Sequence, residues 1–411
     1  MKILHLFGSV TLPQNPDMEA CSGVVWNTLQ LAKVQRARGH EVVVCAPSHT
    51  PWTRDWCSVR LVGLPSVSWA RMRWGNSTLD VRQPLANTLY TATRAFDIVH
   101  AHKEQYVRYL RAPVKVVHVD SNPLSNDAIA LPEDARIANL KTLDHSADAI
   151  IAVSHYIADQ LRTAYPFSIP IKIVGNGVDT KTFGGENLTE ARAAWRSQWH
   201  IQSADDLVFL YCGAIIAEKG VLELVEAFLN LLSAVPNAHL VIAGSQNLWT
   251  RPQAKPFDYI EKIQRLALRA ASHIHFTGPV GHDVIAQIYQ AADVVVIPST
   301  DQEASPLVAL EAMASATPVV ATTVGGIPEL VSGVGTLVSP NDSEALRNAM
   351  EALARHPDTR LEQATLGRQR VLPRSWENME RAINDVYQEL LVSRGRKLKR
   401  RPPLPNTFPG R

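Results

Sequence analysis

Cysteine is scarce, and none of the four, Cys21, Cys45, Cys57 and Cys212, falls in a CxxC pair. That spacing offers no structural zinc motif and fits a reducing compartment; Cys45 and Cys212 lie in apolar strand-like runs where free thiols are common. No uninterrupted apolar run reaches the roughly 18 residues a membrane-spanning helix needs. The short run in "MKILHLFGSV" reads as a first strand, because a polar, Pro-containing loop follows it. The mature chain is therefore expected to start at Met1 and to be cytoplasmic. Charge of one sign is also lacking: the formal net charge is +2, so no whole-protein field points to nucleic acid. No GxGxxG follows the first strand, which argues against a dinucleotide dehydrogenase.

What is present is enough apolar material for large cores: 46% of the 411 residues are hydrophobic and 19% charged, a length that suggests two domains or more. "KILHLF", the helical run "GVVWNTLQLAKVQRARG" and "EVVVCA" read as strand, helix, strand. Val25, Leu29 and Ala32 share one helical face and Gly39 marks the stop. "DIVHAH", "VKVVHVD" and "ADAIIAVS", followed by "IKIVGNGVD", supply further strands whose nearly continuous apolar runs suit a parallel sheet covered on both faces. Residues 177–205 are polar, carry no strand signal and read as a linker. A second β-then-α alternation then runs from "LVFLYCG" to "PVVAT". The expected fold class is α/β, with two Rossmann-like doubly wound sheets over 1–176 and 206–372 facing across a cleft that holds the ligand. The helix 375–391 follows, and 394–411 is a basic, Pro-rich tail expected to be disordered.

The chemistry concentrates in "STDQEASPLVALEAMASATPVVATTVGGIPEL". Ser305 and Pro306 read as N-cap and first-turn residues, so a helix starts just after Glu303, and its Leu307 and Val308 amides point where an anion would be stabilised. Glu303 then lies at the helix mouth and Glu311 about one and a half turns inside, placed to accept hydrogen bonds from sugar hydroxyls and a ribose diol. A loop acid and a helix-surface acid with no ligand explain the spacing equally well. In "CGAIIAEKG", Gly213 permits a tight turn after a strand and Lys219 offers positive charge, without the Gly-Lys-Ser/Thr order of a P-loop. Gly325 and Gly326 allow a close backbone approach, and Ser22-Gly23 opens another helix whose amides could meet an anion.

Together these segments resemble the retaining glycosyltransferases of the GT-B fold, family four, over nearly the whole chain. The resemblance is carried by "ACSGVVWNTLQLAKVQRARGHEVVV", "DIVHAH", "ADAIIAVS", "NGVD", "GAIIAEKG", "EASPLVALE", "PVVATTVGGIPELV" and "SWENM". It implies an enzyme that moves a hexose from a UDP- or GDP-sugar to a sugar, lipid-linked or small-molecule acceptor. An epimerase or hydrolase on the same fold, or a non-catalytic nucleotide-sugar binder, remains the alternative.

By position, the resemblance implies that Glu303 holds the donor sugar and Glu311 the ribose. Ser305 and the Leu307 and Val308 amides, Gly213 and Gly23 would line the donor, Lys219 would neutralise the leaving phosphate, and His118 would lie near the reacting sugar. His118 read from spacing alone is equally a satisfied histidine at a strand end. The family usually has Arg after the loop glycine; Ala214 stands here, which leaves the charge to Lys219 and the helix amides or to an unidentified cation. Where the family reads Gly then an aromatic after Glu303, this chain has Ala304 and Ser305. No DxD-like motif is required, so no metal and no cofactor beyond the donor are expected, and the final helix is expected to cross back onto the N-terminal domain. "SWARMRWGNS", with Trp69, Arg71, Arg73 and Trp74, fits either peripheral membrane contact towards a lipid-linked sugar or the packing of a loop helix. The terminal basic cluster is read chiefly as solubilising.

Overall fold

A computed structural model of the chain describes all residues except 9, 18, 20, 66–70, 75, 76, 81, 103, 122–132, 185–187, 246–255, 283 and 396–411. It divides into two compact units. The first comprises Met1–Pro16, Val24–Gly175 and Trp376–Arg411, and the second Asp17–Gly23 and Asn176–Ser375.

In the first unit the strands are β1 (Lys2–Leu6), β2 (Glu41–Ser48), β3 (Trp52–Trp56), β4 (Val59–Pro65), β5 (Arg71–Trp74), β6 (Ser77–Asp80), β7 (Ile98–Ala101), β8 (Val114–Val119), β9 (Ala149–Ala152) and β10 (Ile171–Ile173). Eight of them form one sheet in the order β10-β9-β8-β7-β1-β2-β4-β3, parallel except for β3 at its edge. β3 and β4 are joined by Cys57 and Ser58, both with positive φ (48° and 62°), the backbone of a two-residue hairpin whose twist matches the strands. The "SWARMRWGNS" stretch was open to a loop helix; instead Arg71–Trp74 pairs antiparallel with Ser77–Asp80, while residues 68–70, 75 and 76 lie outside the described residues.

The final helix, Trp376–Ser393, packs within this unit: Arg38 pairs with its buried Glu380 at 2.8 Å, Lys172 with Glu389 at 2.8 Å, and Tyr387 reaches His100. Of the basic tail, residues 396–411 are outside the described residues; Arg394 pairs with Asp148.

The second unit holds β11 (Leu207–Cys212), β12 (Ala238–Ala243), β13 (Ile274–Gly278), β14 (Val294–Ile297), β15 (Val319–Thr322) and β16 (Thr336–Val338), all parallel, in the order β13-β12-β11-β14-β15-β16. This is the 3-2-1-4-5-6 order of a doubly wound sheet. Alternate side chains feed two cores: Val208, Leu210, Val295 and Ile297 enter one, and Phe209, Tyr211, Val294 and Val296 the other. Residues 177–205 are more than the expected linker. They contain the helix Leu188–Gln198, whose Arg192 and Arg196 both pair with Asp293 at 2.6 Å, ahead of β14. Ion pairs hold that helix, so hydrophobic periodicity alone did not mark it. Among the described residues no helix is long and apolar enough to cross a membrane.

Candidate active site

The second sheet changes winding direction between its neighbours β11 and β14, and in such sheets ligands bind at the carboxyl ends beside that point. The loops leaving those two strands carry the charged pair. After β11 the chain passes Gly213, whose N-H donates to the Ala243 carbonyl (2.9 Å), and the 3-10 turn Ala217–Lys219. Gly220 ends that turn at φ +66°, and a Cβ there would lie 1.9 Å from the Pro298 carbonyl oxygen, so only glycine lets this loop abut the loop after β14. Lys219 Nζ thereby reaches Glu303 Oε1 at 2.5 Å, and Ser299 Oγ donates to the same oxygen at 2.7 Å.

Burial would raise the Glu303 carboxyl, but the Lys219 ammonium and the two hydrogen bonds outweigh it and hold the group below its ordinary value. The "VGG" turn after β15 fixes the backbone of Glu303. Gly326 N-H donates to the Glu303 carbonyl at 2.6 Å, and a Cβ on Gly325 (φ +56°) would fall 2.0 Å from that oxygen.

The helix after Glu303 runs Leu307–Ala314, with Pro306, in extended backbone (φ −68°, ψ 126°), as its N-cap. The expected Ser305 cap is therefore shifted by one: Ser305 makes no side-chain cap, its buried hydroxyl has no partner among the described residues, and its carbonyl accepts from Asn176 Nδ2 at 2.8 Å. The reason is that Pro306 takes up the non-helical conformation a cap requires. Leu307 and Val308 open the helix and are half-buried. Glu311, on the same helix, is buried; Tyr289 Oη donates to its Oε2 at 2.8 Å, and burial pushes its carboxyl up to about 7. It can thus both accept and donate hydrogen bonds near neutrality. Gly23 lies in the short segment that clusters with this unit, where a Cβ would meet Leu307 Cδ1 at 3.3 Å. Ala214, where a cation was expected by resemblance, is buried and its carbonyl accepts from Tyr211 Oη at 2.6 Å.

His118 belongs to the first unit, at the end of β8, and is 1% exposed. It joins a histidine group that includes His5, His100, His102 and Asp120. His100 Nε2 is 3.0 Å from His118 Nδ1, and Asp120 Oδ2 is 3.1 Å from His102 Nδ1. Burial pushes His118 down to about 4 and His5 to about 3, and holds His100 well below its ordinary value, while the neighbouring imidazoles keep Asp120 below the usual carboxylate range despite its burial. At neutral pH His118 is therefore a neutral ring.

The family description "Glycosyl transferases group 1" matches residues 206–356 and "Glycosyltransferase Family 4" residues 21–182. A D-inositol 3-phosphate glycosyltransferase from Streptomyces griseus subsp. griseus is 30% identical over 332 residues, covering 74% of this chain and 69% of that relative. The chain belongs to the group 1, family 4 glycosyltransferases. This glycosyltransferase is similar in fold to sucrose-phosphate synthase from Thermosynechococcus elongatus (TM-score 0.78, 22% identity, 96% of this chain and 100% of that one). It is also similar to Anabaena HepE in complex with UDP-glucose (TM-score 0.74, 18% identity, 95% and 100%). Its two Rossmann-like domains make the GT-B fold, and it is an enzyme of the hexosyltransferase type.

Within the glycosyltransferase the structure joins Lys219 with Glu303, puts Glu311 on the following helix bonded to Tyr289, and places His118 in the other unit's sheet. Sequence reasoning missed Ser299, Asn176 and Tyr289, which hold Glu303, Ser305 and Glu311. It also missed the partners of His118, although the alternation in "DIVHAH" and "VVHVD" puts those side chains on a common strand face.

Proposed function

We propose that this glycosyltransferase moves a hexose from a UDP-sugar to a sugar, lipid-linked or small-molecule acceptor with retention of anomeric configuration. The observation that carries the reading is the Lys219–Glu303 pair, formed by the loops of β11 and β14 beside the switch point. A donor diphosphate would draw the Lys219 ammonium away from Glu303, which frees that carboxylate for the sugar hydroxyls. Negative charge grows on the departing diphosphate while the sugar passes through an oxocarbenium-like state. Lys219 and the Leu307 and Val308 amides stabilise that charge, a fixed donor of this kind commonly being worth about 3 to 4 kcal/mol. Glu311 would bind the ribose diol, and His118 would donate to the sugar. The second unit would be the donor domain and the first the acceptor domain. UDP as the nucleotide that carries the donor sugar is supported by the UDP-glucose complex of the Anabaena neighbour. The leaving phosphate would help deprotonate the acceptor, with no metal at the diphosphate.

The test is UDP release from UDP-sugars with an acceptor panel, with the anomeric configuration of the product read by NMR. Lys219→Ala and Glu303→Ala should each lose at least tenfold in kcat. An inverted product, free sugar without conjugate, or nucleotide binding with no turnover would refute transfer with retention.

A further inference from the structure

His118 Nε2 is buried and makes no hydrogen bond among the described residues. The Asp120 carboxylate stands before it, with Oδ1 3.6 Å away and Oδ2 taken up by His102 Nδ1 at 3.1 Å. Burial would raise the Asp120 carboxyl, but the neighbouring imidazoles keep it below its ordinary range, so it offers lone pairs only. A bare ring nitrogen held against that carboxylate would be repelled. His118, a neutral ring, therefore carries its one proton on Nε2 and leaves Nδ1 bare.

The order of protons then follows along a single chain. His118 Nδ1 is 3.0 Å from His100 Nε2, which must be the donor. His100 is neutral as well, so its Nδ1 is bare, and that nitrogen lies 2.5 Å from Tyr387 Oη, whose hydroxyl donates to it. Burial pushes the Tyr387 phenol up, which keeps its proton in place. All three side chains are buried, where a hydrogen bond is stronger than in water. The sheet sets the spacing: His100 of β7 is opposite Val116 of β8, one diagonal step from His118 on the same face. Tyr387 comes from the other end of the sequence, on the helix Trp376–Ser393.

We propose that His100 and Tyr387 are positioning residues for glycosyl transfer: the Tyr387 hydroxyl, acting through His100, fixes His118 in the tautomer that presents its Nε2 proton to the donor sugar. The inference rests on the reading of His118 given above. No bond is made or broken along the chain; it orients a donor. The opposite tautomer would turn a lone pair both to the sugar and to Asp120.

Long-range 15N–1H NMR of the histidine-labelled full chain, assigned with His100→Gln and His118→Ala, reads the protonated nitrogen of each ring without substrate. His100 and His118 should both carry the proton on Nε2 at pH 7. Tyr387→Phe keeps the ring and its packing; it should move part of the His118 population to the Nδ1 form and lower kcat about tenfold, the size of one hydrogen bond. The Kd for UDP, which carries no sugar, should not move. His100→Gln sets an amide donor near the place of Nε2, one that needs no tyrosine to order its protons. It should lose less than about threefold in kcat, and in that background Tyr387→Phe should have no further effect. A tyrosine that served packing alone would lower kcat equally in both backgrounds. Circular dichroism identifies the folded variants, and the wild-type spectrum decides if a variant does not fold. A His118 proton on Nδ1 in the wild type, full turnover in Tyr387→Phe, or equal losses in both backgrounds overturns the proposal and leaves the His118 reading standing; full turnover in His118→Ala overturns both.

Discussion

Glu303 and Glu311 stand eight positions apart, yet their surroundings drive them in opposite directions. Glu303 owes its charge to Lys219, so Lys219→Ala leaves a buried carboxylate without its cation and should destabilise the protein by about 3 kcal/mol at pH 7. Because the folded-state value of Glu303 is depressed, its stabilisation is present above the unfolded value and lost as pH falls through the folded one. The melting difference between wild type and variant should therefore shrink at pH 4, which thermal unfolding at the two pH values checks.

Glu311 behaves in the reverse sense. Its value is raised from 4.5 to about 7, so its contribution is complete below the unfolded value and disappears as pH rises through 7. Glu311→Gln should raise the melting temperature at pH 8, by the equivalent of at most about 3 kcal/mol, and leave it nearly unchanged at pH 4. If Glu311 binds the ribose, the same variant raises KM for the donor.

The turn after β15 shows how a loop with no functional side chain governs one that has. A Cβ on Gly325 would overlap the Glu303 carbonyl, and the positive φ disfavours any other residue. Gly325→Ala should lower kcat at least tenfold with a stability loss of about 1 to 3 kcal/mol, measured by turnover and by denaturant unfolding.

Much of this framework was legible beforehand. The runs "KILHLF", "EVVVCA", "DIVHAH" and "LVFLYCG" became β1, β2, β7 and β11 because parallel strands covered on both faces must be continuously apolar. Two of the four edge strands of the two large sheets escaped. β3 has three exposed residues and a Cys-Ser turn without the Asn-Gly signature, and β16 is only three residues long. Lys219 and Glu303 could be placed because each follows a strand end. Asn176 and Tyr289 could not, since their contacts bridge 129 and 22 positions of sequence and leave no local periodicity.

The helix Trp376–Ser393 buries Trp376, Met379, Ile383, Val386, Tyr387, Leu390 and Leu391. At about 1.5 to 3 kcal/mol for each large apolar side chain, their combined burial exceeds about 10 kcal/mol. That is comparable with the whole stability of an ordinary domain, about 5 to 15 kcal/mol. A chain ending at Ser375 should therefore lose the first unit's cooperative melt while the second, continuous from Asn176, keeps a protease-resistant core; limited proteolysis with mass spectrometry reads both.

The same helix sets an order on biosynthesis. The strands of the first unit, complete by Ile173, leave the ribosome without the segment that seals their sheet, and Glu380 and Tyr387 are translated 342 and 287 residues after their partners Arg38 and His100. The unit made second is complete first, and the nascent first unit must stay soluble with an uncovered face until Trp376–Ser393 emerges.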